Sequence, residues 1–250
     1  MARDLPILFS EPMVLALLAG SKTETRRLLY ALRKSDKPMA GINPKFLRGY
    51  DPPAATTHAI DEFYDLRRQF APGDRLWVRE AWRVSATKDA TAPRDIVPRI
   101  CTTLYEAGGS MGGITPPPKD SPRPPREYVP DEQPLAGRMP EWVGRRRASM
   151  HMPRWASRIT LPVSGVHVER LQAITEEAAL AEGVVPHPDG GFHVVGVPHP
   201  NPRFPYLSRP TAREMYAALW DVINGPGAWA ANPWVSATRF GVIHGNIDNV

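Results

Sequence analysis

The sequence predicts an α+β fold, a small and mostly antiparallel β-barrel with packed helices and long Pro/Gly-rich loop insertions. Three observations carry that prediction. Segments of strand character outnumber segments of helical period, and they are short. The helical segments precede or interrupt the strands without a βαβ rhythm, which argues against a parallel, doubly wound sheet. The 250 residues include 29 prolines and 19 glycines, so much of the chain is loop. We expect a single domain over 1–250, with insertions at about 36–57, 88–147 and 186–210, and find no internal repeat.

Residues 5–9 (Leu-Pro-Ile-Leu-Phe) read as an opening strand. A short helix follows, carried by Met13, Val14, Leu15, Leu17 and Leu18. Ser10 is its N-cap, and Pro12 lies in the first turn, where a missing N–H costs nothing. Gly20 is suited to end it in a left-handed conformation. The stretch His58–Phe70 fits a short helix through Ile60, Phe63 and Leu66. Ala71-Pro72-Gly73-Asp74 is a turn, and Arg75 to Trp82 reads as a strand with bulky Leu76, Trp77, Val78 and Trp82.

Between Pro93 and Pro140 sit 11 of the 29 prolines, a surface excursion with room for one strand at Ile100–Tyr105. Strand-like text leads from Ile159 through Val168. Ala173–Gly183 is a helix capped by Thr175, with Glu176 and Glu177 at its positive end and Gly183 at its stop. Glu182 falls in the last turn, where the helix dipole disfavours a carboxylate, so it is either exposed or held by a cation. A second Pro/Gly-rich excursion spans 186–210. Thr211–Ile223 is an amphipathic helix with Met215, Leu219, Trp220, Val222 and Ile223 available for the core. Pro233–Phe240 closes the chain as a strand.

Composition bounds the function. The hydrophobic share of 42% and charged share of 23% describe a soluble globular chain. No apolar run is long enough to cross a bilayer, and the opening residues lack a signal-peptide core, so a cytoplasmic location without a membrane partner is expected. The single Cys101 excludes an internal disulfide and a multi-cysteine zinc site. His187, His193 and His199 match no compact zinc spacing, so neither a metal nor a cofactor is expected. The net charge of +5 gathers in arginine clusters, which leans toward a polyanionic partner, nucleic acid first.

The densest chemistry lies just after the first helix, in Lys22-Thr23-Glu24-Thr25-Arg26-Arg27. In an extended segment Thr23, Thr25 and Arg27 project to one face, Glu24 and Arg26 to the other. From the turn Lys22 can swing toward Thr25, as an exposed pocket lysine. An ammonium and hydroxyls backed by guanidinium suit an anion or a polar heterocycle; the same text is also that of an ordinary solvated edge strand. Elsewhere Trp77, Trp82 and Trp155 lie beside Arg79, Arg154 and Arg158, and unpaired bases stack on such groups. His151 completes the block His151-Met152-Pro153-Arg154-Trp155-Ala156-Ser157-Arg158.

The run Gly20-x-Lys22-x-x-Thr25-x-Arg27 after a short helix resembles the signature of the ASCH domain, a branch of the PUA-like β-barrel superfamily. Thr25 stands where most members carry Glu, as in the branch that includes small bacterial N4-acetylcytidine amidohydrolases. The Pro-Gly-Asp turn before Leu76-Trp77-Val78 is a second family landmark. The whole arrangement is similar to ASCH proteins of bacteriophages and prophages, which share the blocks around Lys22, Trp77-Val78-Arg79-Glu80, His151–Arg158 and Trp220-x-x-Ile223-Asn224-Gly225.

The resemblance implies a pocket that binds a nucleobase or nucleotide, free or in RNA, and an amidohydrolase set of Lys22, Thr25 and Glu182 acting on an N-acylated cytidine. Gly20, Thr23, Arg26, Arg27, Trp77, Arg79, Glu80, Trp82, His151, Arg154, Trp155 and Arg158 are the expected binding residues. The partner is then RNA or a modified nucleoside, with DNA a further candidate, in a bacterial or phage-infected cytoplasm. Two other readings stay open: a non-catalytic RNA-binding module, and a phage accessory or assembly protein acting through protein contacts.

Overall fold

In a computed structural model the described residues are 2–28, 31–33, 64–66, 70–96, 102–111, 142–199, 203 and 206–250. In chain order the elements are β1 (Asp4–Leu8), α1 (Glu11–Leu18), β2 (Glu24–Leu28), β3 (Ala31–Arg33), β4 (Tyr64–Leu66), β5 (Arg75–Arg79) and β6 (Trp82–Arg83). There follow β7 (Thr103–Tyr105), β8 (Ser110–Met111), β9 (Ile159–Arg170), α2 (Glu176–Ala181), β10 (Val185–Pro186) and β11 (Phe192–His193). The last are β12 (Ser208–Arg209), α3 (Ala212–Asn224), β13 (Trp234–Phe240) and β14 (Ile243–His244). The fold is α+β with strands in the majority.

The chain forms two compact units, the first from 1–20, 74–162 and 241–250, the second from 21–73 and 163–240. In the first, β1 pairs in parallel with β5 (Leu5 opposite Leu76, Ile7 opposite Val78), and β5 pairs antiparallel with the first residues of β9. β14 adds to β9 at Thr160 and Ile159. Alternation along β5 sends Leu76 and Val78 into the core, where Ile7, Val14, Leu17, Ile159 and Leu161 are also buried. A second cluster packs Trp82, Val84, Ile96, Tyr105, Met152 and Ala156, and the smaller sheet β6-β7-β8 supplies Trp82 and Tyr105 to it. Buried Glu80 and Arg158 pair in this unit through two hydrogen bonds of 2.8 and 2.9 Å.

In the second unit β2 pairs with β13, and β13 with the later residues of β9, both antiparallel. α2 and α3 pack together, and α3 also meets the small sheet β10-β11-β12. Helix α3 opens with a capping box: Thr211 accepts from the Glu214 amide at 3.1 Å, and Glu214 accepts from the Thr211 amide. Its apolar stripe buries Met215, Leu219 and Trp220 as expected, together with Tyr216.

Several expectations change. Among the described residues the pairings of neither unit close on themselves, so the predicted barrel is replaced by open sheets, with β1 and β14 at the edges in the first unit and β2 at an edge in the second. Val222 and Ile223 are exposed at 50% and 61%, because the packed stripe of α3 ends with its final turn on the outside. Tyr64–Leu66 is a strand paired with Ala31–Arg33 rather than part of a helix, and Phe70 is not helical; residues 58–63 and 67–69 of the predicted helix and the 36–57 insertion lie outside the described residues. Within 186–210 the chain is not only loop, because β10, β11 and β12 form a short antiparallel sheet. Ser10 begins α1 by position alone, without a side-chain capping bond. Among the described residues no helix is long and apolar enough to cross a membrane.

Candidate functional site

The site grows from the end of α2 and the edge strand β2, both in the second unit. Gly20 takes φ +71°, a left-handed conformation that glycine adopts without the backbone strain an L side chain would meet, and the chain turns there after α1. Beyond it the backbone is pinned twice: the Thr23 amide donates to the Ala181 carbonyl at 2.8 Å, and the Phe240 amide donates to the Thr23 carbonyl at 2.9 Å. Lys22 forms a bridge with Glu182, the residue that caps α2.

Glu182 is held by cations, the second of the two alternatives its place in the helix allowed. Lys22 Nζ donates to Glu182 Oε2 at 2.6 Å and to the Glu182 carbonyl at 2.8 Å. Arg26 Nη1 and the Tyr216 hydroxyl both donate to Oε1, at 3.3 and 3.2 Å. Arg26 also reaches Glu169 (2.7 Å) and Glu24 (2.7 Å), and Arg239 reaches Glu24 at 3.0 Å. Lys22 is 1% exposed and Glu182 3%, so Lys22 is an enclosed residue and not the exposed pocket lysine the sequence suggested.

Burial pushes the Lys22 pKa below its ordinary value; Glu182 opposes this, while Arg26 and Arg27 add to it. Burial also works against the Arg26 charge, but Glu182, Glu24 and Glu169 outweigh it and hold that proton more tightly than usual. The Tyr216 phenol is driven well above its ordinary range, by burial first and by the Glu182 charge second.

Strand register divides the remaining residues between two faces. Glu24, Arg26, Arg239 and Glu169 interact on one side of the β2–β13–β9 sheet. Thr25 lies opposite Thr238, and Arg27 opposite Ser236, on the other side. On β2 and β13 that second face carries three hydroxyls and one guanidinium, and Val166 and Val168 of β9 continue it. Thr25, Thr238 and Ser236 are buried, Arg27 is half-buried, and Thr23, of the same strand parity, is exposed. Lys22 and Glu182 are thus brought together, whereas Thr25 belongs to the face turned away from Glu24 and Arg26.

Sequence reasoning missed Tyr216, Ser236 and Thr238. The last two carry a signal, since Val235-Ser236-Ala237-Thr238 alternates hydroxyls with apolar residues at the spacing of a strand. Tyr216 carries none beyond its place among the apolar residues of α3.

The remaining predicted residues lie in the first unit. Trp82 is fully buried in the aromatic core, edge-on to Trp155 at 6.1 Å, and offers no ring face to a ligand. Arg158 stacks on Tyr105 at 4.0 Å and bonds Glu80 and the Gly108 carbonyl, so both Glu80 and Arg158 are internal. Arg154 is bonded to Asp4 and Asp248. His151 is exposed in a 3-10 turn, Ser149–His151. Trp77 is buried beneath Arg79, whose guanidinium carbon lies 4.4 Å from the ring centroid. Among the described residues no group of three or more His, Cys, Asp or Glu side chains is arranged to hold a metal.

Comparison of the chain with protein-family models, with curated proteins and with solved structures returned no match.

Proposed function

We propose that this is an ASCH-type, PUA-like protein that binds a nucleobase or nucleotide, free or within RNA, on the hydroxyl-lined face of β2 and β13. The observation that carries the reading is the register that gathers Thr25, Ser236, Thr238 and Arg27 on one side of a sheet. Hydroxyls both donate and accept, and a guanidinium donates in a plane, which suits the mixed carbonyl and amino edge of a pyrimidine. On this reading Lys22 and Glu182 are positioning residues: their enclosed pair fixes the strand whose other face meets the ligand. Isothermal titration with cytidine, N4-acetylcytidine and a short single-stranded RNA tests it. Saturable binding lost in T25V and R27M, with folding retained, is expected. Absence of binding by any of the three overturns it in favour of a role through protein contacts.

A second reading, hydrolysis of an N-acylated cytidine, draws on the lowered proton affinity of Lys22, with strand register turning Thr25 to the opposite face of β2. Thr25 Oγ would attack the acyl carbonyl, its proton leaving with the exocyclic amine as the C–N bond breaks, and water would then hydrolyse the Thr25 ester to release the carboxylate and restore the hydroxyl. Acetate release from N4-acetylcytidine that disappears in T25A and K22A supports it, and binding without release excludes it.

A further inference from the structure

In the first unit several arginines near β5 are matched by acid, Arg158 by Glu80 among them. Arg3 is paired with Asp74, Arg75 with Asp4, and Arg154 with Asp4 and Asp248. Arg79 is different. Its guanidinium lies over the buried Trp77 ring, and Nη1 donates to the Met150 carbonyl at 3.2 Å. Its Nε is buried with no hydrogen-bond partner among the described residues, and among them no carboxylate lies within ion-pair distance. Burial lowers its pKa, and no acidic neighbour offsets that effect.

A partly desolvated cation with no acidic neighbour is costly unless an anion offsets its charge. The neighbourhood is open on one side: Met150 is 59% exposed, and His151, next in the turn, is exposed as well. Stacking on Trp77 holds the guanidinium plane still and covers one of its faces, which leaves the other as a platform.

We infer that Arg79, braced on Trp77 beside Met150, is an anchor for a phosphate group of single-stranded nucleic acid. The guanidinium edge takes the phosphate oxygens and its outer face takes a base. Nucleic acid is favoured over an acidic peptide because a carboxylate uses only the edge, whereas a nucleotide uses both the edge and the plane. The inference rests on this unit's own residues and is independent of the nucleobase site in the second unit.

The test measures binding of a short fluorescent single-stranded oligonucleotide at several salt concentrations for wild type, R79Q, R79K and R94Q. Arg94 is an exposed arginine of the same unit and serves as the charge control. R79Q is expected to weaken binding about tenfold and to flatten the log K against log salt slope by about 0.7, the share of one single-strand phosphate. R79K keeps the slope and still loses affinity severalfold, because an ammonium offers no stacking plane. Should R79Q fail to fold, R79K decides the matter.

Equal effects of R79Q and R94Q, or no effect of either, overturn the inference. In NMR, movement of the Arg79 Nε–H resonance with the oligonucleotide supports it, whether or not inorganic phosphate also moves it. Movement with polyglutamate alone overturns it. A nucleoside, which lacks phosphate, binds R79Q as it binds wild type, so a failure here is separable from a failure of the nucleobase site.

Discussion

The Lys22 ammonium donates to both the side-chain carboxylate (2.6 Å) and the backbone carbonyl (2.8 Å) of Glu182, a residue 160 positions away. One side chain therefore ties the start of β2 to the end of α2. Both charges are enclosed, so their desolvation is offset only while the full set of partners is in place.

The first prediction concerns that dependence. E182Q leaves the Lys22 ammonium and the Arg26 guanidinium without their shared counter-charge, and should destabilise by about 3–5 kcal/mol. K22M leaves Glu182 with Arg26 and Tyr216 and should cost clearly less. The double variant should lose less than the sum of the two. Urea unfolding of the four proteins measures this, and simple additivity would show that the pair is not coupled.

Y216F removes one of the two donors to Glu182 Oε1. A buried acceptor that loses a neutral donor costs about 1–2 kcal/mol. An unchanged unfolding midpoint would mean that Arg26 alone satisfies that oxygen.

The helix starts give a paired prediction. Thr211 makes its capping bond and Ser10 makes none. T211A should cost about 1 kcal/mol, and S10A no more than a few tenths. Equal losses in thermal unfolding would contradict the assignment of the two caps.

This contrast also marks how far the sequence was legible. Both cap positions could be read, because residue type and spacing define them, but whether a hydroxyl turns onto the backbone is settled by packing. The strands read at 5–9, 75–82 and 233–240 follow from alternation and turn residues, but the second breaks after Arg79 and resumes as β6 at Trp82. Closure of a barrel does not, since it depends on which distant edges meet. Glu182 was marked by a conflict with its helix dipole, and its cations were legible in kind. Its third donor, Tyr216, was not, because a phenol in an apolar stripe reads as core. Trp82 and Arg158 show the converse: their residue types suit a ligand surface, and tertiary packing places them inside.

Asp4 gives a pH prediction. Hydrogen bonds from Arg75, then Arg154, hold its carboxyl below the ordinary carboxylate value. A depressed folded pKa contributes stability above the unfolded-state value and loses it as pH falls through the folded one. D4N should therefore lower the melting temperature at neutral pH, with a deficit that narrows once the medium is more acidic than an ordinary aspartate. A deficit constant down to strongly acidic conditions would contradict the pairing.

The most direct measurement of the central claim is a crystal structure of the protein saturated with N4-acetylcytidine. The account predicts pyrimidine density against Thr25, Ser236, Thr238 and Arg27, with the Lys22–Glu182 contact preserved behind the strand. Saturated crystals with that face unoccupied, or with the base seated elsewhere, would contradict it.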